Sequence, residues 1–357
     1  MTIGVLKEPQ PETRVSLLPE HLLILKELNV DFLIETNCGK RSFASDEKYT
    51  AAGGIIASRN EVLQNSEIIL PMHLPAESEI DLLRSKIILG LYQPFYNQDL
   101  IKKLKEKEVT IFSIDMIPRT TRAQSMDVLS SQANIAGYKA VLVAGNLFPR
   151  YFPMLMTAAG SIPPAKVLIL GAGVAGLQAI ATARRLGAVV EVFDTRPAVK
   201  EEVMSLGAKF IEVEGAADAS NAGGYAVEQS TTFLQKQKEK IAASVVKSDI
   251  IITTAQIFGK KAPILITEEM IGSMKNGSVI IDLAAATGGN TSITRNNETV
   301  IYGGVTIVGN SNLPATMPFD ASKVYGKNIC NFLQLIIDKD GKLNLNLEDD
   351  LVKGTLV

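Results

Sequence analysis

The sequence predicts an α/β protein in which doubly wound parallel sheets are covered by helices. Short apolar runs alternate with helix-like stretches along the chain, and this alternation is typical of parallel sheets with helices on both faces. The breaker sequence GSIPP at residues 160–164 separates two such blocks. The length of 357 residues also favours two domains, since one domain usually takes about 100 to 200 residues.

The first block contains five predicted strands. They are the apolar runs at residues 3–6, 32–35, 67–70, 86–89 and 109–114. Predicted helices lie at residues 19–28 and 97–107. A longer stretch with few charges and no proline, residues 124–144, predicts a connecting helix.

The second block opens with the clearest chemical signal in the sequence. An apolar run at residues 166–170 is followed at once by GAGVAG at 171–176, a helix-like stretch at 177–186 and a second apolar run at 189–193. This is the G-x-G-x-x-G pattern of a Rossmann dinucleotide site. The motif alone is weak evidence, but here strand, helix and second strand follow in the expected order.

Each glycine of this motif has a role in a dinucleotide site. Gly171 allows the sharp turn, Gly173 lets the backbone approach the pyrophosphate, and Gly176 lets helix and strand pack closely. The N–H groups around Val174 and Ala175, at the start of the helix, together with the helix dipole, hold the negative charge.

The second strand ends at an acid that predicts the cofactor. Asp194 lies 23 residues after Gly171, close to the spacing of about 20 residues for the acid that hydrogen-bonds the adenosine ribose. A carboxylate there repels a 2′-phosphate, so NAD(H) is favoured over NADP(H). Arg196 tempers this preference, because an arginine near that point can accommodate the phosphate.

A long segment of small residues admits two interpretations. Residues 214–228 contain few side chains that could form a core, and unstructured loops beyond about 12 to 15 residues are usually functional or disordered. The segment is either a surface insertion, which composition slightly favours, or a mobile lid over bound cofactor with Tyr225 as the residue that packs.

Two further features are candidate site elements. If residues from Gln124 onward are helical, Gln124, Asp127 and Ser131 share one face; such a stripe is ordinarily solvated, but this one carries no lysine. A glycine turn begins at Asp282, after the predicted strand 278–281. It is either a plain turn or part of the strand ends where ligands bind in open α/β sheets.

Composition excludes several classes of function. The 36 basic and 38 acidic side chains leave no positive excess for nucleic acid. Cys38 and Cys330 form no disulfide framework and fit a reducing compartment, and His21 and His73 have no metal-type spacing. The most apolar stretch, residues 167–183, contains three glycines and predicts strand, turn and helix, so we expect a soluble chain without a metal.

Two segments resemble a known family. RAQSMDVLSSQANIAGY at residues 122–138 and GAGVAGLQAIATA at 171–183 are similar to the alanine dehydrogenase and proton-translocating transhydrogenase superfamily. Within it, the similarity is to the NAD(H)-binding component of the transhydrogenase, the peripheral domain of its alpha subunit. The resemblance extends from Arg14 in ETRV to VKGT at residues 352–355.

The resemblance implies a function carried out with partners. The chain would bind NADH and pass hydride to NADP⁺ held on a different component, with the transfer coupled to proton movement through a membrane component. It implies a homodimer in the cytoplasm, peripheral to the inner membrane. Hydride transfer needs little acid–base chemistry, so a site with few titratable groups can work if it orients the ring and excludes water.

The resemblance also assigns site residues. Around the nicotinamide and its ribose it places Arg119, Gln124, Asp127 and Ser130, with Gln124 orienting the carboxamide and Arg119 pairing with Asp127. It makes Asp194 the adenosine-ribose acid and Tyr225 the mobile-loop tyrosine. The other expected cofactor contacts are Thr195, Arg196, Ala255 and Asp282.

Two alternative functions are weighed against this one. A soluble alanine dehydrogenase uses a lysine and a histidine near the positions of His73 and Gln93; glutamine is no general acid, and histidine offers no ammonium group. Arg14 could hold a carboxylate but cannot catalyse reductive amination alone, so this activity is discounted. A non-enzymatic NAD-binding sensor would lack that lysine and histidine equally well, so their absence does not separate it from the transhydrogenase component.

The predicted domain organisation is discontinuous. The chain is expected to form two Rossmann-like doubly wound parallel-sheet domains separated by a cleft that holds the nicotinamide. Residues 1–129 with 318–357 form the first, and a predicted helix at 321–337 returns to it. Residues 130–317 form the NAD(H)-binding domain.

Overall fold

The computed structural model describes residues 1–215, 230–257 and 259–357. These residues form two compact units, residues 1–132 with 314–357 (unit 1) and residues 133–313 (unit 2). Each is built on a sheet of mainly parallel strands, which confirms the predicted α/β class. Tyr225 and residues 216–228 of the predicted loop lie outside the described residues.

Unit 1 contains a parallel sheet of six strands. They are β1 (Thr2–Val5), β2 (Asp31–Glu35), β3 (Gly54–Ala57), β4 (Ile68–Leu70), β5 (Ile87–Gly90) and β6 (Thr110–Ser113). The order in the sheet is β3-β2-β1-β4-β5-β6, and every neighbouring pair is parallel. The order reverses between β1 and β4, the switch point where open α/β sheets bind ligands. The prediction missed β3, because its apolar run is only Ile55 and Ile56.

Unit 2 contains a hairpin and a larger sheet. The hairpin strands are β7 (Leu155–Thr157) and β8 (Gly160–Ile162). The sheet strands are β9 (Lys166–Leu170), β10 (Val189–Phe193), β11 (Lys209–Phe210), β12 (Ile250–Thr253), β13 (Val279–Asp282), β14 (Thr299–Tyr302) and β15 (Val305–Val308). Among the described residues the sheet order is β11-β10-β9-β12-β13-β15-β14, with β14 antiparallel to β15. Its switch point lies between β9 and β12.

The helices surround these sheets. In chain order they are α1 (Pro19–Leu25), α2 (Asp46–Ala51), α3 (Arg59–Asn65), α4 (Gln98–Glu106), α5 (Val128–Leu147), α6 (Val174–Arg185), α7 (Lys200–Ser205), α8 (Thr231–Val245), α9 (Glu268–Gly272), α10 (Pro318–Ile336) and α11 (Asp350–Thr355). Short 3-10 turns lie at Lys26–Leu28, Lys40–Ser42, Glu77–Leu83, Ile114–Met116, Thr121–Met126, Pro197–Val199, Ala285–Thr287 and Leu313–Thr316.

The start of α5 corrects one prediction. Residues Thr121–Met126 form a 3-10 turn, and the helix begins only at Val128. The carboxylate of Asp127 accepts the backbone N–H of Ser130 at 2.9 Å, which is the bond of a helix N-cap. Gln124 and Asp127 therefore do not share a helical face with Ser131, and that prediction is wrong.

The predicted breaker at 160–164 is a second correction. Its first three residues form β8, which pairs antiparallel with β7. Gly160 still supplies the turn, since its φ of +136° lies outside the range that L side chains readily adopt. The stretch 167–183, in contrast, forms strand, turn and helix as predicted. In the described ranges, no helix has both the length and the apolar character needed to span a bilayer.

Helix α10 contributes to the core of unit 1. Tyr325, Ile329, Phe332 and Leu333 are fully buried along it, and the ring centroid of Phe332 lies 5.5 Å from that of Phe112 in β6. Burying these side chains holds the C-terminal segment of the chain against the sheet formed by the N-terminal segment.

We expect Phe332→Ala to lower the free energy of unfolding by about 3–5 kcal/mol, because it leaves a cavity under the sheet. Urea denaturation followed by circular dichroism measures the change. The control is Gln334→Ala on the exposed side of the same helix, which should stay within about 0.5 kcal/mol of the parent. An equal loss in both variants would contradict the role given to Phe332.

Candidate functional site

The glycine turn of unit 2 joins the end of β9 to the start of α6. Gly171 has a φ of +105°, a conformation that glycine adopts at no steric cost. A Cβ atom on Gly176 would lie 1.9 Å from the carbonyl oxygen of Gly171, whereas a Cβ on Gly173 would meet nothing within 4 Å. Gly171 thus makes the turn, Gly176 permits the close contact, and Gly173 leaves open space beside the backbone.

The start of α6 is suited to an anion. Gly173 is its N-cap and provides no side-chain cap, and the first turn, which begins with Val174 and Ala175, contains no acid. No side chain of this helix therefore caps its first N–H groups or compensates the positive end of its dipole. A phosphate is the kind of group that binds there.

Helix α5 packs tightly on this helix start. A Cβ on Gly137 would lie 2.1 Å from the carbonyl oxygen of Ala175, so the two backbones touch. The side-chain amide of Asn134 donates to Oε1 of Gln178 at 3.3 Å. These contacts fix the first turn of α6.

Asp194 follows β10 and is bound on both carboxylate oxygens. Oδ2 accepts the N–H of Ala172 at 2.7 Å, and Oδ1 accepts the backbone N–H of Arg196 at 2.8 Å. The Arg196 guanidinium adds Nε–Oδ1 and Nη2–Oδ2 bonds of 2.9 Å each, and this pairing raises the pKa of Arg196. Only 7% of the Asp194 side chain is exposed. The acid thus anchors the glycine turn and holds the arginine, while Thr195 between them is half-buried.

The loop after β12 contacts the glycine turn on the side opposite Asp194. Thr254 Oγ1 donates to the carbonyl oxygen of Gly171 at 3.1 Å. Ala255 is held at both backbone groups by the buried Asn290, which accepts its N–H at 3.0 Å and donates to its carbonyl at 2.8 Å. The sequence analysis gives Asn290 no role. Its place directly after two glycines, in the turn 282–290, is the feature that could have marked it as a structural residue.

Asp282 at the end of β13 is fully buried. Its carboxylate accepts hydrogen bonds from five groups: Thr253 Oγ1 at 2.9 Å, Ala284 N at 3.0 Å, Asn290 N at 2.7 Å, Thr291 N at 3.3 Å and Thr294 Oγ1 at 2.6 Å. Such a network ties the turn 282–294 to the sheet.

The unit 2 residues therefore gather at one edge of the sheet. Strands β10, β9, β12 and β13 are neighbours, so Asp194, the glycine turn, Ala255 and Asp282 follow four adjacent carboxyl ends. They lie around the switch point between β9 and β12, where a ligand is expected in an open α/β sheet.

The unit 1 candidates lie between the end of β6 and the first turn of α5. Arg119 and Gln124 are exposed, and Asp127 and Ser130 are half-buried. The hydroxyl of Ser130 donates to Asp127 Oδ2 at 2.6 Å, besides the backbone bond that caps α5. This pairing orients both side chains at the start of the helix.

Helix α10 holds this segment in place. Asn328 donates through Nδ2 to the carbonyl oxygen of Ser125 at 2.8 Å and accepts the hydroxyl of Ser131 at 2.8 Å; Asn331 also donates to Ser125, at 2.8 Å. Arg122 pairs with Asp349 and, at 3.3 Å, with Asp350. No local sequence signal marks Asn328, because it contacts Ser125 across 203 residues.

Two residues linked to the alanine dehydrogenase comparison, Arg14 and His73, meet at the buried carboxylate of Glu12. Arg14 binds Glu12 through Nε at 2.8 Å and Nη2 at 2.7 Å, and donates to Gln132 at 2.8 Å. His73 Nε2 lies 3.0 Å from Glu12 Oε2. Burial opposes ionisation of Glu12, but hydrogen bonds from Arg14 and His73 outweigh it and hold the pKa of this carboxyl well below its usual range. Within the described ranges, no three His, Cys, Asp or Glu side chains come together as a metal site.

Comparisons with known proteins show which proteins this chain is similar to. The models of the alanine dehydrogenase/PNT N-terminal and C-terminal domains match residues 4–136 and 140–357. A Rhodospirillum rubrum protein, named as the first part of NAD(P) transhydrogenase subunit alpha, is 45% identical over 100% of the chain and 96% of its own length. An alanine dehydrogenase of Staphylococcus epidermidis is 28% identical over 95% of the chain and 88% of its own length. The crystal structure of transhydrogenase from Sinorhizobium meliloti superposes with a TM-score of 0.91 at 42% identity, covering 100% of this chain and 98% of that chain.

Two glycine substitutions should differ in their effect on stability. Gly176→Ala forces the Gly171 carbonyl to shift and should cost about 1–3 kcal/mol of unfolding free energy. Gly173→Ala places its methyl group in open space, and its backbone dihedrals suit any residue, so its cost should stay below about 1 kcal/mol. Chemical denaturation of the two variants measures the difference. Equal stability would show that the contact between the glycines is not a packing constraint.

Proposed function

The chain belongs to the alanine dehydrogenase/PNT family, and we propose that it is the NAD(H)-binding component of a proton-translocating transhydrogenase. In this function it passes hydride between NADH and NADP⁺ held on a partner component. The observation that carries the proposal is the similarity to the Rhodospirillum rubrum transhydrogenase subunit, which extends over nearly the whole of both chains. The alanine dehydrogenases are more distant, at 28% identity.

The edge of the unit 2 sheet suits NAD(H). The pyrophosphate binds at the start of α6, where Gly173 leaves room for it. The adenosine ribose binds Asp194, whose negative charge disfavours a 2′-phosphate. A carboxylate has about four acceptor positions, and four N–H groups occupy them in this structure. The ribose hydroxyls therefore replace the guanidinium of Arg196, which remains beside the ribose along with Thr195.

The neighbouring strand ends shape the same site. Ala255 contacts the cofactor through a backbone that Asn290 holds rigid. Asp282 is too deeply buried to touch the cofactor and acts as a positioning residue, because it holds the N–H of Asn290 at 2.7 Å. Tyr225, outside the described residues, keeps its proposed role as the loop residue that packs on the cofactor.

The nicotinamide and its ribose are assigned to residues of unit 1. Gln124 and Arg119 are exposed, and an amide and a guanidinium can hydrogen-bond the carboxamide. Asp127 and Ser130 are held together at 2.6 Å, so they present a fixed pair of polar atoms. None of these groups has to transfer a proton, because the hydride moves with its electron pair from ring to ring. Their task is to orient the ring.

Alanine dehydrogenase activity lacks its proton-transfer groups in this chain. Gln93 is exposed and cannot act as a general acid at neutral pH. His73 is engaged with Glu12, and Arg14 is bound to the same carboxylate. These contacts support a structural role for His73 and Arg14.

The proposed function requires partners. We propose an NADP(H)-binding component and a membrane component that moves protons, in line with the name of the Rhodospirillum rubrum relative, which describes one portion of a subunit alpha. The chain would act as a homodimer in the cytoplasm, at the periphery of the inner membrane.

Replacing Asp194 tests the cofactor assignment. We expect Asp194→Ala to raise the Kd for NADH about 10- to 100-fold, since it removes hydrogen bonds from a charged acceptor to the ribose. Isothermal titration calorimetry with NADH and NADPH measures this, and Glu212→Ala, an exposed acid of the same unit, is the control. Equal affinity of the parent chain for NADH and NADPH would show that Asp194 does not select NAD(H) over NADP(H).

A reconstituted assay tests the function itself. The chain, an NADP(H)-binding component and an NADP⁺ analogue should together oxidise NADH, whereas the chain with pyruvate and ammonia should not. Absorbance of the reduced analogue follows the reaction. If NADH binds but no hydride exchange occurs with the partner present, the sensor function replaces the transhydrogenase function. Robust turnover with pyruvate and ammonia would instead make the chain an alanine dehydrogenase.

A further inference from the structure

Unit 1 contains a crevice that the proposed function does not use. Its volume is about 510 Å³, within the range of small-molecule sites. It lies just beyond the carboxyl ends of β1 and β4, the switch point of the unit 1 sheet. Its polar lining includes Lys7, Glu8, Lys40, Arg41, Arg59 and His73.

Three cations of this lining lack a carboxylate partner among the described residues. Lys7 and Lys40 are exposed, and neither forms an ion pair with a described residue. The guanidinium of Arg41 donates to the backbone carbonyl of Glu8, which leaves its charge uncompensated. Arg59 differs, since it binds Glu35 at 2.8 Å and Glu79 at 2.5 Å. The crevice therefore has a positive surplus that an anion can neutralise.

A comparison of the two units shows that this is not a second dinucleotide site. In unit 1 the N–H of Lys7 donates to Glu35 Oε2 at 2.7 Å, just as in unit 2 the N–H of Ala172 donates to Asp194 Oδ2 at 2.7 Å. However, Leu6 and Glu8 stand where unit 2 has Gly171 and Gly173. The pyrophosphate cradle is thus missing, and a smaller anion fits the cations better.

Glu8 adds a titratable group to the wall. Its side chain is 4% exposed, Oε1 accepts the N–H of Met72 at 2.6 Å, and burial raises the pKa of the carboxyl to about 7. The ionisable groups around it are His73 beyond β4, Glu12 on its own loop, Tyr92 beyond β5 and Tyr325 on α10, with the Arg41 guanidinium at its carbonyl. Below neutral pH the carboxyl is uncharged and does not repel an anion; above it, the carboxylate does.

We propose that this crevice binds the phosphate monoester of a small metabolite, with Lys7, Lys40 and Arg41 holding the phosphate. A dianion matches several clustered cations, and guanidinium and ammonium groups are the side chains that bind phosphate. The volume exceeds what free phosphate would fill, so the organic portion occupies the remainder. This inference is independent of NAD(H) binding in unit 2.

Calorimetric titration of the full chain with glucose 6-phosphate, inorganic phosphate and glucose tests the proposal. Glucose 6-phosphate should bind saturably, inorganic phosphate more weakly and glucose not at all. The double variant Lys7→Ala with Lys40→Ala should weaken glucose 6-phosphate binding at least tenfold. The control is Lys102→Ala with Lys105→Ala on the exposed side of α4, which removes the same charge and should change binding less than twofold.

Three results would overturn the proposal: no saturable binding by the parent chain, an equal loss in the control, or inorganic phosphate binding as tightly as the monoester. NADH titrations of both double variants should match the parent chain. A chain that fails to bind NADH but retains the sugar phosphate would count against the proposed function alone.

The pH dependence of anion binding gives a second readout. Sulfate keeps its charge between pH 6 and 8, and its affinity should fall severalfold as the pH rises through about 7, because Glu8 ionises. Glu8→Gln keeps an acceptor for Met72 and should remove this dependence, whereas His73→Gln should retain it. A pH dependence that persists in Glu8→Gln would show that Glu8 does not face the anion.

Discussion

The contact between Gly176 and Gly171 is the constraint on which the unit 2 site depends. The helix can start directly above the end of β9 only because Gly176 has no side chain, as a Cβ there would lie 1.9 Å from the Gly171 carbonyl. Thr254 and Asp194 then hold the same turn from the two neighbouring strands. The N–H groups of α6 are aimed at the sheet edge as a consequence, and that orientation lets the turn bind a phosphate.

The same hydrogen bond, from a backbone N–H to a carboxylate, occurs at the first strand of the main sheet in both units, but the residues around it differ. An acid at the end of the second strand accepts the N–H two residues beyond the first strand, Glu35 in unit 1 and Asp194 in unit 2. In unit 2 the residues around that N–H are glycines, so the backbone itself is available to a ligand. In unit 1 Leu6 and Glu8 take the places of those glycines, the N–H belongs to the charged Lys7, and Arg59 engages the acid. One architecture thus presents backbone amides in one unit and side-chain cations in the other.

The polar groups of the site are organised for positioning. Asp282 is fully buried among five donors and holds Asn290, which in turn fixes Ala255. Asn328 holds the segment that carries Gln124 and Asp127 through two bonds to its neighbours. Hydride transfer depends on the placement of two rings more than on proton shuttling, and rigid networks of this kind supply placement. The scarcity of histidine in the chain is consistent with that chemistry.

The sequence by itself determined the α/β class, five of the six strands of unit 1, the glycine turn and the place of Asp194 after β10, because periodicity and motif spacing are local properties of the chain. It misplaced the start of α5, since the capping bond of Asp127 to Ser130 outweighs a low-charge pattern that runs through residue 124. Only the tertiary structure decided the roles of Asn328, Asn290 and Asp282 and the cations around the unit 1 crevice. Their partners lie on other strands or helices, up to 203 residues away, and only folding brings such groups together.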